Sequence, residues 1–108
     1  MKVQNITSSR GNTIANQFII PEEGGILGNF IKRDTFQSYN SIIATKTLWR
    51  YEDVKYQDNP KTQEIELDEK YWNYSKTTGK YRNIFLGETK KETQAKIDNG
   101  TYKLVNLN

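Results

Sequence analysis

The sequence predicts an α+β fold: one twisted antiparallel β-sheet in a single domain spanning 1–108, with one or two short helices packed on it and a helix at 90–98 near the C-terminus. Three observations predict it. A chain of 108 residues is the size of one domain and leaves no room for a second core. Aromatic residues make up 12% of a chain that is only 34% hydrophobic, so the large areas they bury must supply the interior. Short apolar alternations bounded by turn residues fill the first two thirds, whereas a helix-capping signature stands near the end. Trp49, Trp72, seven tyrosines and runs such as FII and SIIA argue against disorder.

The elements follow in order. KVQNIT alternates, with Val3 and Ile6 apolar, and SSRGNT has turn composition. ANQFII reads as a second strand that Pro21 stops, because proline offers no ladder donor, and PEEGG reads as a reversal. ILGNFIKRD extends a hairpin with that strand, weakened by Gly28. TFQSYNSIIATKTLWRYEDV alternates imperfectly through Phe36, Tyr39, Ile42 or Ile43, Leu48 and Tyr51, which gives two strands with a break near Asn40. After the turn YQDNPKT, QEIELD places Ile65 and Leu67 on one face and acids on the other. Tyr81, Ile84 and Phe85, spaced i, i+3 and i+4, line the inner face of a short helix begun by Thr77 or Thr78. Thr89 and Glu92 form a capping box for helix 90–98, whose apolar face is thin, only Ala95 and Ile97, and whose left-handed end falls on Asn99 or Gly100. TYKLVNL closes the chain as a strand.

The residue inventory closes most catalytic routes. Cysteine and histidine are both absent, which removes the usual triads, the general base that titrates near neutral pH and the usual transition-metal ligands. No enzyme activity, cofactor or metal is expected. TTGKY lacks the phosphate-loop pattern, because Tyr81 stands where Ser or Thr is required and Tyr74 where the earlier glycine belongs. GGILGN opens no helix and lacks the dinucleotide-binding spacing. The N-terminus carries no apolar run of signal-peptide type and no window reaches membrane-spanning length, so a cytoplasmic location is expected.

Charge is segregated along the chain. Residues 1–51 net +3, residues 52–69 net −5, residues 70–91 net +5 and residues 92–108 net zero. Complementary edges of a binding surface and an acidic hairpin packed beside a basic segment both give that pattern.

The segments SSRGN, NQFII, FQSYNSIIA, WNYSKTTGKY and FLGETKKE together resemble a family of small proteins of bacteriophages and conjugative elements in low-GC Gram-positive bacteria. The resemblance implies context: non-enzymatic proteins of this type act by binding host machinery, restriction and CRISPR effectors included. Two readings result. In the first, the protein is an anti-CRISPR-like inhibitor of a host defence or nucleic-acid-processing effector, and Asp53, Glu64, Glu66, Asp68 and Glu69 form a negative strip that occupies the partner's basic channel. In the second, it is a single-stranded nucleic-acid-binding accessory protein, with Arg10, Lys76, Lys80 and Arg82 on phosphates and Trp72 or Tyr74 on bases.

Overall fold

The computed structural model describes residues 3–8, 10–24, 30–50 and 61–108. Its elements run β1 (Gln4–Thr7), β2 (Thr13–Glu23), β3 (Phe30–Ser38), β4 (Ser41–Arg50), β5 (Lys61–Asp68), α1 (Lys76–Leu86), α2 (Lys90–Asp98) and β6 (Lys103–Val105). The six strands lie in sequence order in one sheet. The first five are antiparallel neighbours, and β6 pairs with β5 in parallel after the two helices cross over between them.

Register decides which face is buried. Ile19, Phe36, Ala44 and Leu67 are aligned across β2 to β5, and Phe36 stacks on Phe85 of α1 with ring centroids 5.7 Å apart. That row faces the helices. A bulge between Phe36 and Gln37 inserts Ile43 as an extra buried residue on β4. Tyr81, Phe85, Ile6 and Tyr102 complete the core, and the Ser38 and Thr78 hydroxyls bond at 2.9 Å across the sheet–helix contact. Alternation sends Ile20, Thr35, Thr45 and Glu66, also aligned, to the opposite face.

Several expectations are corrected. β2 does not stop at Pro21; it continues to Glu23, with Pro21 opposite Asp34 of β3. The amide of Gly24 donates to Ile31 of β3, so alternation turns the proline nitrogen towards β1, beyond the last described β1 pair at Gln4–Ile19. The ladder with β3 therefore loses no bond at Pro21. The break near Asn40 is present, but everything from Phe30 to Ser38 is one strand. The tight β3–β4 turn puts Tyr39 at φ 55, held by its amide bonding to the Asn16 carbonyl.

The cap of α1 is Ser75 rather than a threonine; its hydroxyl accepts from the Thr78 amide at 3.1 Å. The inner face of α1 is Thr78, Tyr81, Arg82 and Phe85, while Ile84 is 54% exposed. The capping box of α2 is present in full, and Gly100 at φ 83 supplies the left-handed residue after it. On α2, Thr93 rather than Ala95 is the buried residue. Glu88 ties this corner together: it accepts from the Tyr102 hydroxyl, from Lys96 Nζ at 3.3 Å and from Thr93 at 3.2 Å. Among the described residues, no helix is long and apolar enough to cross a membrane.

Candidate nucleic-acid interface

The first half of α1 breaks the ordinary electrostatic rules for a helix start. An N-terminus favours acids, because its free amides and dipole are positive, yet the first turn of α1 contains none. Lys76 opens the helix, and Lys80 follows at i+4, a like-charge spacing that repels. Lys90, the first residue of α2, joins them around a hollow of about 570 Å³ whose lining includes Asn73, Gly79, Arg82 and Asn83. Among the described residues, four cations and no carboxylate line it.

Arg82 is the unusual member. It is only 1% exposed, although the sequence groups it with Lys76 and Lys80 as a phosphate-facing cation. Its guanidinium donates to the Trp72 carbonyl at 2.7 Å, to Asn73 Oδ1 at 3.3 Å and to Asn83 Oδ1 at 3.0 Å, and lies over the Trp72 ring at 5.1 Å. Nε is buried and has no hydrogen-bond partner among the described residues. Among the described residues no carboxylate forms an ion pair with Arg82, and burial pulls its pKa down against a partial pull upwards from Glu88. A buried guanidinium without a counter-charge costs several kcal/mol. Arg82 packs over Gly79, where a Cβ would meet both Nη atoms at an ordinary contact distance of 3.7 Å.

Of the residues the sequence nominated for nucleic acid, the fold brings Lys76, Lys80 and Arg82 together at this hollow. Trp72 is half-buried with its face taken by Arg82, so it supports the site from beneath. Tyr74 is 48% exposed, set edge-on to Tyr71 at 5.6 Å and flanked by Asn73 and Ser75, both of which line the hollow. Arg10 is exposed in the β1–β2 turn and does not line it. Lys90, Asn73 and Asn83 were not anticipated. The sequence signal for Lys90 is its place as the first residue after a capping-box threonine, which identifies a helix start but gives no sign that this start faces α1.

The acidic strip is dispersed. Asp53 lies outside the described residues. Glu64 and Glu66 share the sheet face away from the helices, and Glu64 is 3.8 Å from Lys103. Asp68 is an internal group, 1% exposed, and its carboxylate accepts from the amides of Lys70 at 3.0 Å, Tyr71 at 2.9 Å and Leu107 at 2.8 Å. Burial alone would raise its pKa, but those bonds outweigh it and hold the carboxyl below the usual value. Glu69 is exposed at the strand end. Among the described residues, no group of three or more carboxylates converges to hold a metal ion.

No curated protein and no solved structure matches this chain. A family profile does match it, across residues 1–100. The chain therefore belongs to DUF8033, a family of unknown function.

Proposed function

We propose that the protein is a non-enzymatic nucleic-acid-binding protein that seats the phosphates of a single strand in the α1 hollow and stacks a base on Tyr74. The observation that carries the reading is Arg82: a buried guanidinium that, among the described residues, has an unpartnered Nε and no paired carboxylate, beside a hollow ringed by Lys76, Lys80 and Lys90. A phosphate supplies the missing counter-charge, relieves the like-charge crowding and meets the positive end of α1. Asn73 and Asn83, already bonded to Arg82, hold its plane in place. Tyr74, exposed next to the hollow, offers the aromatic platform that a neighbouring base requires.

The alternative of an acidic strip blocking a host effector has less in its support, because Asp68 spends its charge on three backbone amides and Glu64 sits beside Lys103. Binding of a labelled single-stranded oligonucleotide, followed by fluorescence anisotropy over a salt series, separates the two. With three or four phosphates neutralised, the logarithm of affinity falls with the logarithm of salt at a slope of about −2 to −3. The double variant Lys76→Glu/Lys80→Glu abolishes binding, whereas Glu66→Lys/Glu69→Lys leaves it intact or tighter. No binding at low salt overturns the proposal.

A further inference from the structure

The sheet face opposite the helices carries a second concavity, independent of the hollow. A groove of about 500 Å³ runs over the row Ile20–Thr35–Thr45–Glu66 that register aligns across β2 to β5. Its apolar wall is Ile20, Ile42 and Leu107. The wall is firmly built: the Leu107 amide donates to Asp68, and the side-chain amide of Asn108 brackets Ile42, accepting from its N–H at 2.8 Å and donating to its carbonyl at 3.0 Å.

Thr45 makes this groove more than a surface depression. The residue is 7% exposed, lines the groove, and has a buried hydroxyl with no hydrogen-bond partner among the described residues. A buried hydroxyl left unpaired costs about 1–3 kcal/mol, and a valine would fill the same shape without that cost. The neighbours indicate the missing partner. Glu66 is the cross-strand neighbour of Thr45, an acceptor beside an acceptor-capable hydroxyl, which suits a cationic donor. Arg33 lies in the adjoining row on β3, fixed by its Nε bond to Thr47 at 3.0 Å and by packing over the Phe30 ring at 4.5 Å. Neither of its Nη nitrogens has a hydrogen-bond partner among the described residues, which suits a carboxylate. Glu22, opposite Arg33 on β2, also lines the groove. With two carboxylates against one guanidinium, a plain anion is disfavoured.

We propose that the groove binds an apolar α-amino acid in its zwitterionic form. The ligand's ammonium donates to Glu66 and to the Thr45 hydroxyl oxygen, its carboxylate accepts from the Arg33 Nη atoms, and its side chain packs on Ile20, Ile42 and Leu107. Each of the three parts of the ligand answers a separate feature of the site, so each part can be removed in turn.

The test is a titration of the full chain with L-leucine, followed through the backbone amide resonances. Saturable shifts confined to Thr45, Ile42, Glu66 and Leu107 are expected. Leucinamide, which lacks the carboxylate, and 4-methylpentanoate, which lacks the ammonium, are expected to give none. Thr45→Val keeps the fold, as judged by an unchanged spectrum elsewhere, and weakens leucine binding about 10-fold through loss of one charge-assisted hydrogen bond. Should Thr45→Val fail to fold, Glu66→Gln provides the same comparison at a half-buried position. Absence of any saturable shift at millimolar leucine overturns the proposal, as does an equal response to 4-methylpentanoate or full binding by the Thr45→Val and Glu66→Gln proteins.

Discussion

Asp68 and Arg82 are both buried to 1% exposure and both charged, yet the protein treats them in opposite ways. Asp68 accepts from three backbone amides drawn from the turn after β5 and from the C-terminal tail, so its charge organises the chain around it. Arg82 has its Nη groups occupied by a carbonyl and two side-chain amides, but among the described residues its Nε is orphaned and no carboxylate pairs with it, Glu88 acting only from a distance. A charge that is fully satisfied explains itself as architecture. One that is left half-satisfied, where further cations converge rather than disperse, is a departure from local consistency of the kind that marks a binding site.

The comparison can be broken most forcefully at Asp68. Replacing it with alanine leaves the Lys70, Tyr71 and Leu107 amides without their acceptor and is expected to destabilise the protein by about 3 kcal/mol, measured by denaturant unfolding. Its folded fraction should bind oligonucleotide as the wild type does. If Asp68→Ala instead unfolds like the wild type, the carboxylate is not the organiser described here.

Arg82→Met is expected to do the reverse. Stability stays within about 1 kcal/mol of wild type, because removing an uncompensated buried charge offsets the loss of its bond to the Trp72 carbonyl, whereas oligonucleotide affinity falls about 10- to 100-fold, as for loss of a charge-assisted contact. A large loss of stability with affinity preserved would make Arg82 a second Asp68.

Acid sharpens the contrast further. The carboxyl of Asp68 is held below its ordinary value in the folded protein, so its stabilisation is complete above the unfolded pKa of about 3.9 and is lost as pH falls through the lower folded value. Stability of the wild type should therefore decline below about pH 4. Asp68→Asn, already less stable, should lack that part of the decline. Arg82 stays protonated throughout and contributes nothing to this window.

The smallest effect is expected at Gly79. Alanine in a helix interior is favoured over glycine by about 0.5–1 kcal/mol, and its Cβ would meet the guanidinium at an ordinary contact distance of 3.7 Å. Gly79→Ala should raise stability slightly while narrowing the hollow, with a drop in oligonucleotide affinity of about 3-fold. A gain in both would mean that the floor of the hollow is not in contact with ligand.

What the sequence disclosed depended on how local each signal is. The capping box at Thr89 and Glu92, the break near Asn40 and the pairing of Ile65 with Leu67 on one face are all written within a few residues, and the fold follows them. Pro21 does not stop β2 because its nitrogen faces away from β3, and that is set by the ladder's alternation rather than by anything written near the proline. Ile84 takes the outer face and Arg82 the inner one for a related reason: helical spacing identifies a face only up to one residue's rotation, and reading apolar positions alone favours Ile84, whereas the acceptors of the Trp72 and Asn73 loop draw Arg82 inwards. Of the hollow itself, Lys76, Lys80 and Arg82 were legible as a cluster in sequence. Lys90 was not, because only the turn between α1 and α2 brings it across.

The most direct measurement is the Arg82 Nε–H resonance, followed by nitrogen-15 spectroscopy as a single-stranded oligonucleotide is added to the intact protein. The account predicts that this one signal moves to the position of a hydrogen-bonded guanidinium and is protected from solvent exchange, while those of Arg10 and Arg33 stay where they are. An Arg82 signal that remains unchanged at saturating oligonucleotide would contradict it.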